Sequence, residues 1–181
     1  VLDLRGPSGA PLSGLLAGLE EWDACAPEGQ KGLDHPQVIR ERRLQKRLHV
    51  QGFRLPPVKP ERLRRKEAAV EGTADVLPVV RFPEWLLCPR CNRMKSATSW
   101  PGDDGRPERR CNQHEGERVF VVPVRFIVAC EDGHLDEFPW RRWCGCKCDK
   151  MDLRLDTVGP GLGGKLVRCA SSKASASLEG C

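Results

Sequence analysis

The chain has no tyrosine, and its five tryptophans and five phenylalanines make up only 6% of 181 residues. Hydrophobic residues reach 39%. So thin a supply argues against a large self-sufficient core and points to short elements held by something besides packing. No apolar run approaches the roughly 20 residues that a membrane-spanning helix needs. Nor does a charged start followed by an apolar stretch open the chain, which speaks against a secretory leader. Without export, thiols stay reduced, and the expected location is the cytoplasm. The chain starts at Val1 rather than Met and stops at Cys181, so it is expected to be a piece of a longer polypeptide.

Acidic residues are scarce in one region. Between Gln37 and Val70 there are eleven basic residues and three acidic ones, although the whole chain carries a net charge of only +5. A local basic face on a nearly balanced chain suits a polyanion or an acidic partner. A solvated Arg-rich helix face would read the same way.

What the chain has in quantity is cysteine, ten in all, with nine from Cys88 onward. Clustered Cys/His pairs in a chain without a leader favour metal over disulfides. Cys88-Pro89-Arg90-Cys91 and Cys111-Asn112-Gln113-His114 are two such pairs, separated by the nineteen residues 92–110. This is close to zinc ribbon spacing. Each short turn aims two donors at one point, and two turns close a tetrahedron around Zn²⁺. Three thiolates and an imidazole leave no open coordination position, so the site reads as structural.

Taken in order, Leu12, Leu15, Leu16, Leu19 and Trp22 follow a spacing of three and four that predicts a short helix. Asp34-His35-Pro36 reads as the capped start of a second helix, with Ile39, Leu44 and Leu48 on one face and Gly52 as its stop. A third, roughly Pro60 to Glu71, ends at Gly72. From Val76 the pattern turns to strands. Val119–Val128 carries the strongest strand signal, nearly continuous in apolar residues and therefore expected to be central or well covered, with Pro123 bending or splitting it. The expected architecture is α+β. Short N-terminal helices in a basic region, 1–75, precede a small mixed or antiparallel β-rich region, 76–181, with zinc-ribbon-like knuckles.

A second metal group is expected in the last third. Cys148 and Cys169 would be joined by two of Cys130, His134, Cys144, Cys146 and Cys181, among which spacing does not choose; Cys130 and Cys181 head the ligand set. The same stretch offers a rival reading, a thiol enzyme with Cys130 as nucleophile, His134 as base and Asp136 or Glu137 as orienter. No oxyanion donor accompanies it. A third alternative is a secreted disulfide protein. Gly159–Lys165 matches the glycines and lysine of a phosphate-binding loop, but Leu166 stands where a Ser or Thr should hold Mg²⁺, so it reads as a turn between strands.

Several of these segments resemble the DrmB family, the helicase-associated component of bacterial DISARM anti-phage systems. Arg81-Phe82-Pro83-Glu84-Trp85-Leu86-Leu87-Cys88-Pro89-Arg90-Cys91 is similar to that family's entry motif. Arg125 to Trp140, with Gly133-His134-Leu135-Asp136 and Phe138-Pro139-Trp140, is the more specific match. The resemblance implies a non-enzymatic, zinc-containing accessory domain in complex with a helicase subunit, DrmA, that engages DNA. It implies neither nuclease nor ATPase activity. Family members commonly show Cys-x-x-Cys near Cys169, whereas here the residue three on is Ser172.

The reading is therefore a zinc-stabilised helicase-binding module with one zinc expected and a second possible. No small-molecule substrate and no membrane are expected. Arg42, Arg43, Arg47, Arg64, Arg65 and Lys66 are the candidate phosphate or partner contacts.

Overall fold

The computed structural model describes residues 1–16, 38–54 and 79–181. They fall into two compact units, Val1–Leu15 with Arg81–Cys181, and Leu16–Val80. The basic and the cysteine-rich stretches thus lie in different units, and the first fifteen residues go with the cysteines.

The first elements correct an expectation. β1 (Leu2–Arg5) and β2 (Pro11–Leu16) form an antiparallel hairpin with Leu2 opposite Gly14 and Leu4 opposite Leu12. Leu12, Leu15 and Leu16 are therefore in a strand, not a helix. The reason is the turn Gly6-Pro7-Ser8-Gly9, where Gly9 takes φ 77° and folds one segment back on the other. Gly14 also weighs against helix, by about 1 kcal/mol relative to Ala. Buried Glu108 fastens the turn, its Oε1 accepting from the Ser8 N–H at 2.7 Å. A Cβ on Gly6 would lie 2.2 Å from that oxygen, so any other residue there would displace the Glu108 side chain from the turn.

In the second unit, β3 (Val38–Ile39) pairs antiparallel with β4 (Phe53–Arg54) around helix α1 (Arg42–Leu48). This is a second correction. The helix starts at Glu41, whose side chain caps the Arg43 N–H at 3.2 Å, instead of at Asp34. It stops at His49, which adopts the left-handed conformation at φ 54°, before Gly52 is reached. α1 buries no residue. The helix predicted over 60–71, together with Trp22, lies outside the described residues.

β5 (Val79–Arg81) brings the chain back, and the Phe82 N–H donates to the Ser13 carbonyl at 3.3 Å. Six further strands build an antiparallel sheet. They are β6 (Trp85–Leu87), β7 (Arg93–Ser96), β8 (Val122–Pro123), β11 (Leu153–Thr157), β12 (Lys165–Cys169) and β13 (Ser175–Ser177), in the order β13-β12-β11-β7-β6-β8. β9 (Ile127–Ala129) and β10 (Leu135–Glu137) form a separate hairpin, followed by the one-and-a-half-turn helix α2 (Trp140–Cys144). The long strand predicted over 119–128 is thus split between two sheets, and its first piece is an edge rather than a centre. Pro123 explains the position, because a residue with no N–H is tolerated where one side of the strand is unpaired.

The sheet buries one face through strict alternation. Leu153 and Leu155 are buried and flank Arg154, while Val167 and Cys169 are buried and flank exposed Arg168. In register, Leu153 faces Cys169 and Leu155 faces Val167. Half of the ten aromatic residues gather on this face: Trp85, Phe126, Phe138, Trp140 and Trp143. Phe138 and Trp140 are 4.5 Å apart between ring centroids, and Phe126 meets Trp140 edge-on at 5.9 Å and 89°. On the other face Arg93 forks onto Asp152 with contacts of 2.8 and 3.0 Å. The glycine-rich 159–164 segment is a turn between β11 and β12, closed by Val158 N–H donating to Gly164 C=O at 2.8 Å.

Replacing Trp140, which is 1% exposed, should cost about 3–5 kcal/mol in a Trp140→Ala variant. Urea unfolding should detect it, whereas Val158→Ser at a 71% exposed position should stay within about 0.5 kcal/mol of the parent.

Candidate metal centres

The first centre follows from hairpin geometry. β6 and β7 pair with Leu87 opposite Met94, so residues 88–92 must form the turn. The Cys88 N–H donates to the Arg93 carbonyl at 2.9 Å, and the Asn92 N–H returns to the Cys88 carbonyl at 3.0 Å. Asn92 at φ 58° closes the turn. A second turn starts where the Cys111 N–H donates to the Val119 carbonyl at 2.9 Å. Val122 and Pro123 then pair with Leu87 and Leu86 on the other edge of β6. An Arg90–Glu117 ion pair links the two turns.

These turns bring together the donor atoms of Cys88, Cys91, Cys111 and His114, all within 4.8 Å of one another. Cys88 Sγ lies 3.2 Å from His114 Nε2, and Cys91 Sγ lies 3.8 Å from Cys111 Sγ. Metal–sulfur bonds of 2.3 Å in a tetrahedron imply sulfur separations of about 3.8 Å. The donor set therefore fits one tetrahedral ion with no vacancy. Burial pushes the Cys88 thiol up, but backbone hydrogen bonds from Cys91 and Arg90 and the His114 ring outweigh it and bring it down to about 7. Burial, with the neighbouring Cys88 and Cys91 sulfurs, pushes Cys111 up to about 11.

The second group is Cys146, Cys148 and Cys169. Cys146 follows α2 directly, after Gly145 reverses the chain at φ 70°. Cys169 ends β12. The sulfurs lie 2.9 Å (Cys146–Cys148), 3.4 Å (Cys146–Cys169) and 3.6 Å (Cys148–Cys169) apart. The Ser172 hydroxyl donates to Cys146 Sγ at 3.5 Å, and no fourth Cys, His or carboxylate donor joins the three among the described residues. Burial raises Cys169, yet hydrogen bonds with Ser172 and the Asp152 backbone bring it down to about 6. The shared hydrogen bond with Cys146 pushes Cys148 up to about 11.

The structure does not bring Cys130 or Cys181 to this group. Cys181 is exposed and belongs to none of the groups found, and Cys130 lies on the β9–β10 turn. Cys144 is buried in the core, its Sγ turned to the Ala174 carbonyl at 3.3 Å. The third member is Cys146, which spacing alone had left among several. The nine described cysteines are free thiols, with no disulfide among the described residues. Asp136 and Glu137, the acids considered for an enzyme, point to backbone. Asp136 accepts from the Glu137 N–H at 2.7 Å, and Glu137 accepts from the Glu84 N–H. Arg42, Arg43 and Arg47 are exposed on α1, while Arg64, Arg65 and Lys66 lie outside the described residues.

These features define a small domain, mostly antiparallel β, whose Cys/His groups could hold metal ions. The chain belongs to the family described as a domain of unknown function (DUF8724), whose profile matches residues 1–181. It is also similar to the DISARM protein DrmB of Bacillus paralicheniformis, 43% identical over 90 residues, a fragment-level match. That alignment covers 46% of this chain and 16% of the relative. No helix among the described residues is long and apolar enough to cross a membrane.

Metal loading requires thiolates, and Cys111 and Cys148 begin protonated near neutrality. Metal uptake should therefore release protons, and affinity should rise between pH 6 and 8 by about tenfold per pH unit for each proton released. Zinc titrations in buffers of different ionisation enthalpy check this. Ser172→Cys should supply a fourth thiolate and slow the loss of the second ion to a chelator, leaving the first unchanged.

Proposed function

We propose that this chain is a zinc-stabilised, non-catalytic part of a DrmB-type protein that binds a helicase subunit in DISARM defence and helps hold DNA. The similarity to DrmB carries this reading, and the two Cys/His groups support its zinc part. Thiolate and imidazole donors select zinc over hard cations such as Mg²⁺. In the first centre Cys88, Cys91, Cys111 and His114 would hold the ion with no position left for substrate. Zinc there would supply folding energy rather than chemistry. In the second, Cys146, Cys148 and Cys169 would do the same with Ser172 beside them.

The helicase subunit would be DrmA-like, as the family resemblance implies. DNA contact is assigned to the basic segment, with Arg42, Arg43 and Arg47 on α1 and Arg64, Arg65 and Lys66 beyond the described residues. Contacts of this kind go to phosphates, so they hold any sequence and weaken as salt displaces the protein from its counterions.

The thiol-enzyme reading keeps one observation in its favour, the 3.2 Å approach of Cys130 Sγ to His134 Nδ1. An activity abolished by Cys130→Ala with metal content and fold intact would establish it instead.

Co-purification with the helicase subunit tests the proposal first, and failure of the two to associate would sink it. If the complex binds DNA through the basic segment, affinity should fall steeply between about 50 and 200 mM salt. Each of Arg42→Ala, Arg43→Ala and Arg47→Ala should lower the slope of log affinity against log salt by about one where that residue contacts a phosphate. A complex whose binding ignores salt would leave only the docking role.

In the metal-bearing unit, Cys88→Ser with Cys91→Ser should abolish one zinc per chain. The lost binding energy is about 10–16 kcal/mol in zinc-finger peptides, as large as the total stability of a domain. Melting followed by circular dichroism should show the β signal collapsing in that variant.

A further inference from the structure

The β9–β10 turn carries a third donor group that belongs to neither centre. Ala129 and Leu135 are register partners at the end of the hairpin. Beyond them the Cys130 N–H donates to the His134 carbonyl at 3.1 Å, and the Gly133 N–H donates back to the Cys130 carbonyl at 3.0 Å. Gly133 takes φ 85°, a conformation a side chain would strain. The backbone of the turn is therefore fixed by its own hydrogen bonds, and residues 130 and 134 stand side by side.

Fixed in this way, Cys130 Sγ and His134 Nδ1 are 3.2 Å apart. A carboxylate oxygen of Asp132 joins them, with all three donor atoms within 4.8 Å of one another. One sulfur, one imidazole nitrogen and one carboxylate oxygen form a mixed donor set that suits borderline ions such as zinc or cobalt rather than calcium or magnesium. The electrostatics agree. From Phe126 to Trp140 there is no Lys or Arg, and Glu131, Asp132, Asp136 and Glu137 are all acidic. All three donor residues are exposed. In this the turn differs from the first centre, where two of the four are buried and no coordination position remains.

We propose that the Cys130-Glu131-Asp132-Gly133-His134 turn is a further, solvent-open metal site. It takes one borderline divalent ion on Cys130 Sγ, His134 Nδ1 and Asp132, and leaves a fourth position for water or an outside donor. Three protein ligands with one open position is the arrangement of zinc sites that exchange a ligand, in contrast to closed structural sites. The ion would bind as the thiol gives up its proton, with no redox step. The site is independent of helicase association and stands or falls separately from it.

The test uses the whole chain, zinc alone as the probe, and native mass spectrometry to count ions on the wild type, Cys130→Ser and His134→Ala. Both substitutions are at exposed positions of the turn, and the ions kept by the two other centres report that each variant is folded. Each variant should bind one zinc fewer than the wild type. Equal counts would overturn the proposal. So would the loss of more than one ion, because Cys130 or His134 would then be supporting another centre. In the wild type, zinc should also shield Cys130 from iodoacetamide, read by peptide mass, and a chelator should restore labelling. Labelling that zinc does not alter would make the pair a bare thiol–imidazole contact and overturn the site.

Discussion

Strand β6 is the constraint on which the cysteine-rich unit depends. It is only three residues long, yet it pairs on both sides, with β7 through Leu87 and Met94 and with β8 through Leu86 and Pro123. One pairing makes the turn that holds Cys88 and Cys91. The other receives the chain as it leaves the turn that holds Cys111 and His114. Two turns separated in sequence by the nineteen residues 92–110, which include β7 itself, are thereby set at the ends of neighbouring strands about 5 Å apart, the right scale for four donors around one ion.

The two ends of the unit solve the shortage of apolar residues differently. Around the first centre the buried set is small: Leu86, Cys88, Ala97, Trp100, Cys111 and Val121. Two of those six are cysteines of the donor group, so replacing them would thin this small core as well as break up the donor set. Around the second, the same sheet is backed by four interlocking aromatic rings, and Trp143 Nε1 donates to the Ser177 carbonyl at 2.9 Å. There Cys146 and Cys169 are themselves buried members of a larger hydrophobic core, and Cys148 packs against it. A three-sulfur group can be tolerated where packing already holds the chain, and there the Ser172 hydroxyl lies beside Cys146 with no fourth sulfur in the group.

The first donor group was legible in the sequence because its signal is local. Two donors with two residues between them in a turn share a direction, and the residue types fix the chemistry. The second group was only partly legible. Three cysteines alternate at 144, 146 and 148, and which of them face Cys169 depends on where α2 ends, a matter settled by Gly145 and by the burial of Trp140. Asp132 is not legible as a donor from spacing, because its approach to Cys130 and His134 depends on the turn between them, whereas Asp136 and Glu137 stand in β10 and turn to backbone. The N-terminal helix failed for a different reason. Apolar residues at 12, 15 and 16 satisfy a helical spacing, but the turn Gly6-Pro7-Ser8-Gly9 just before them pairs the segment with Leu2–Arg5, and that hairpin outweighs the spacing. In α1 the cap moved to Glu41 because β3 occupies Val38 and Ile39.

The sheet order has a consequence for biosynthesis. β7 finds its second neighbour in β11, with Arg93 beside Arg154 and Met94 beside Leu153. Those partners lie about sixty residues further along, so a chain emerging from the ribosome carries β7 with one edge bare through several seconds of elongation at about 5–20 residues per second. An unpaired strand edge is a template for pairing with other chains. The metal turn between β6 and β7 can already close during that interval, since one of its two knuckles is complete at Cys91 and the other at His114. Early capture of an ion would hold the nascent hairpin in shape until the strand that covers it arrives.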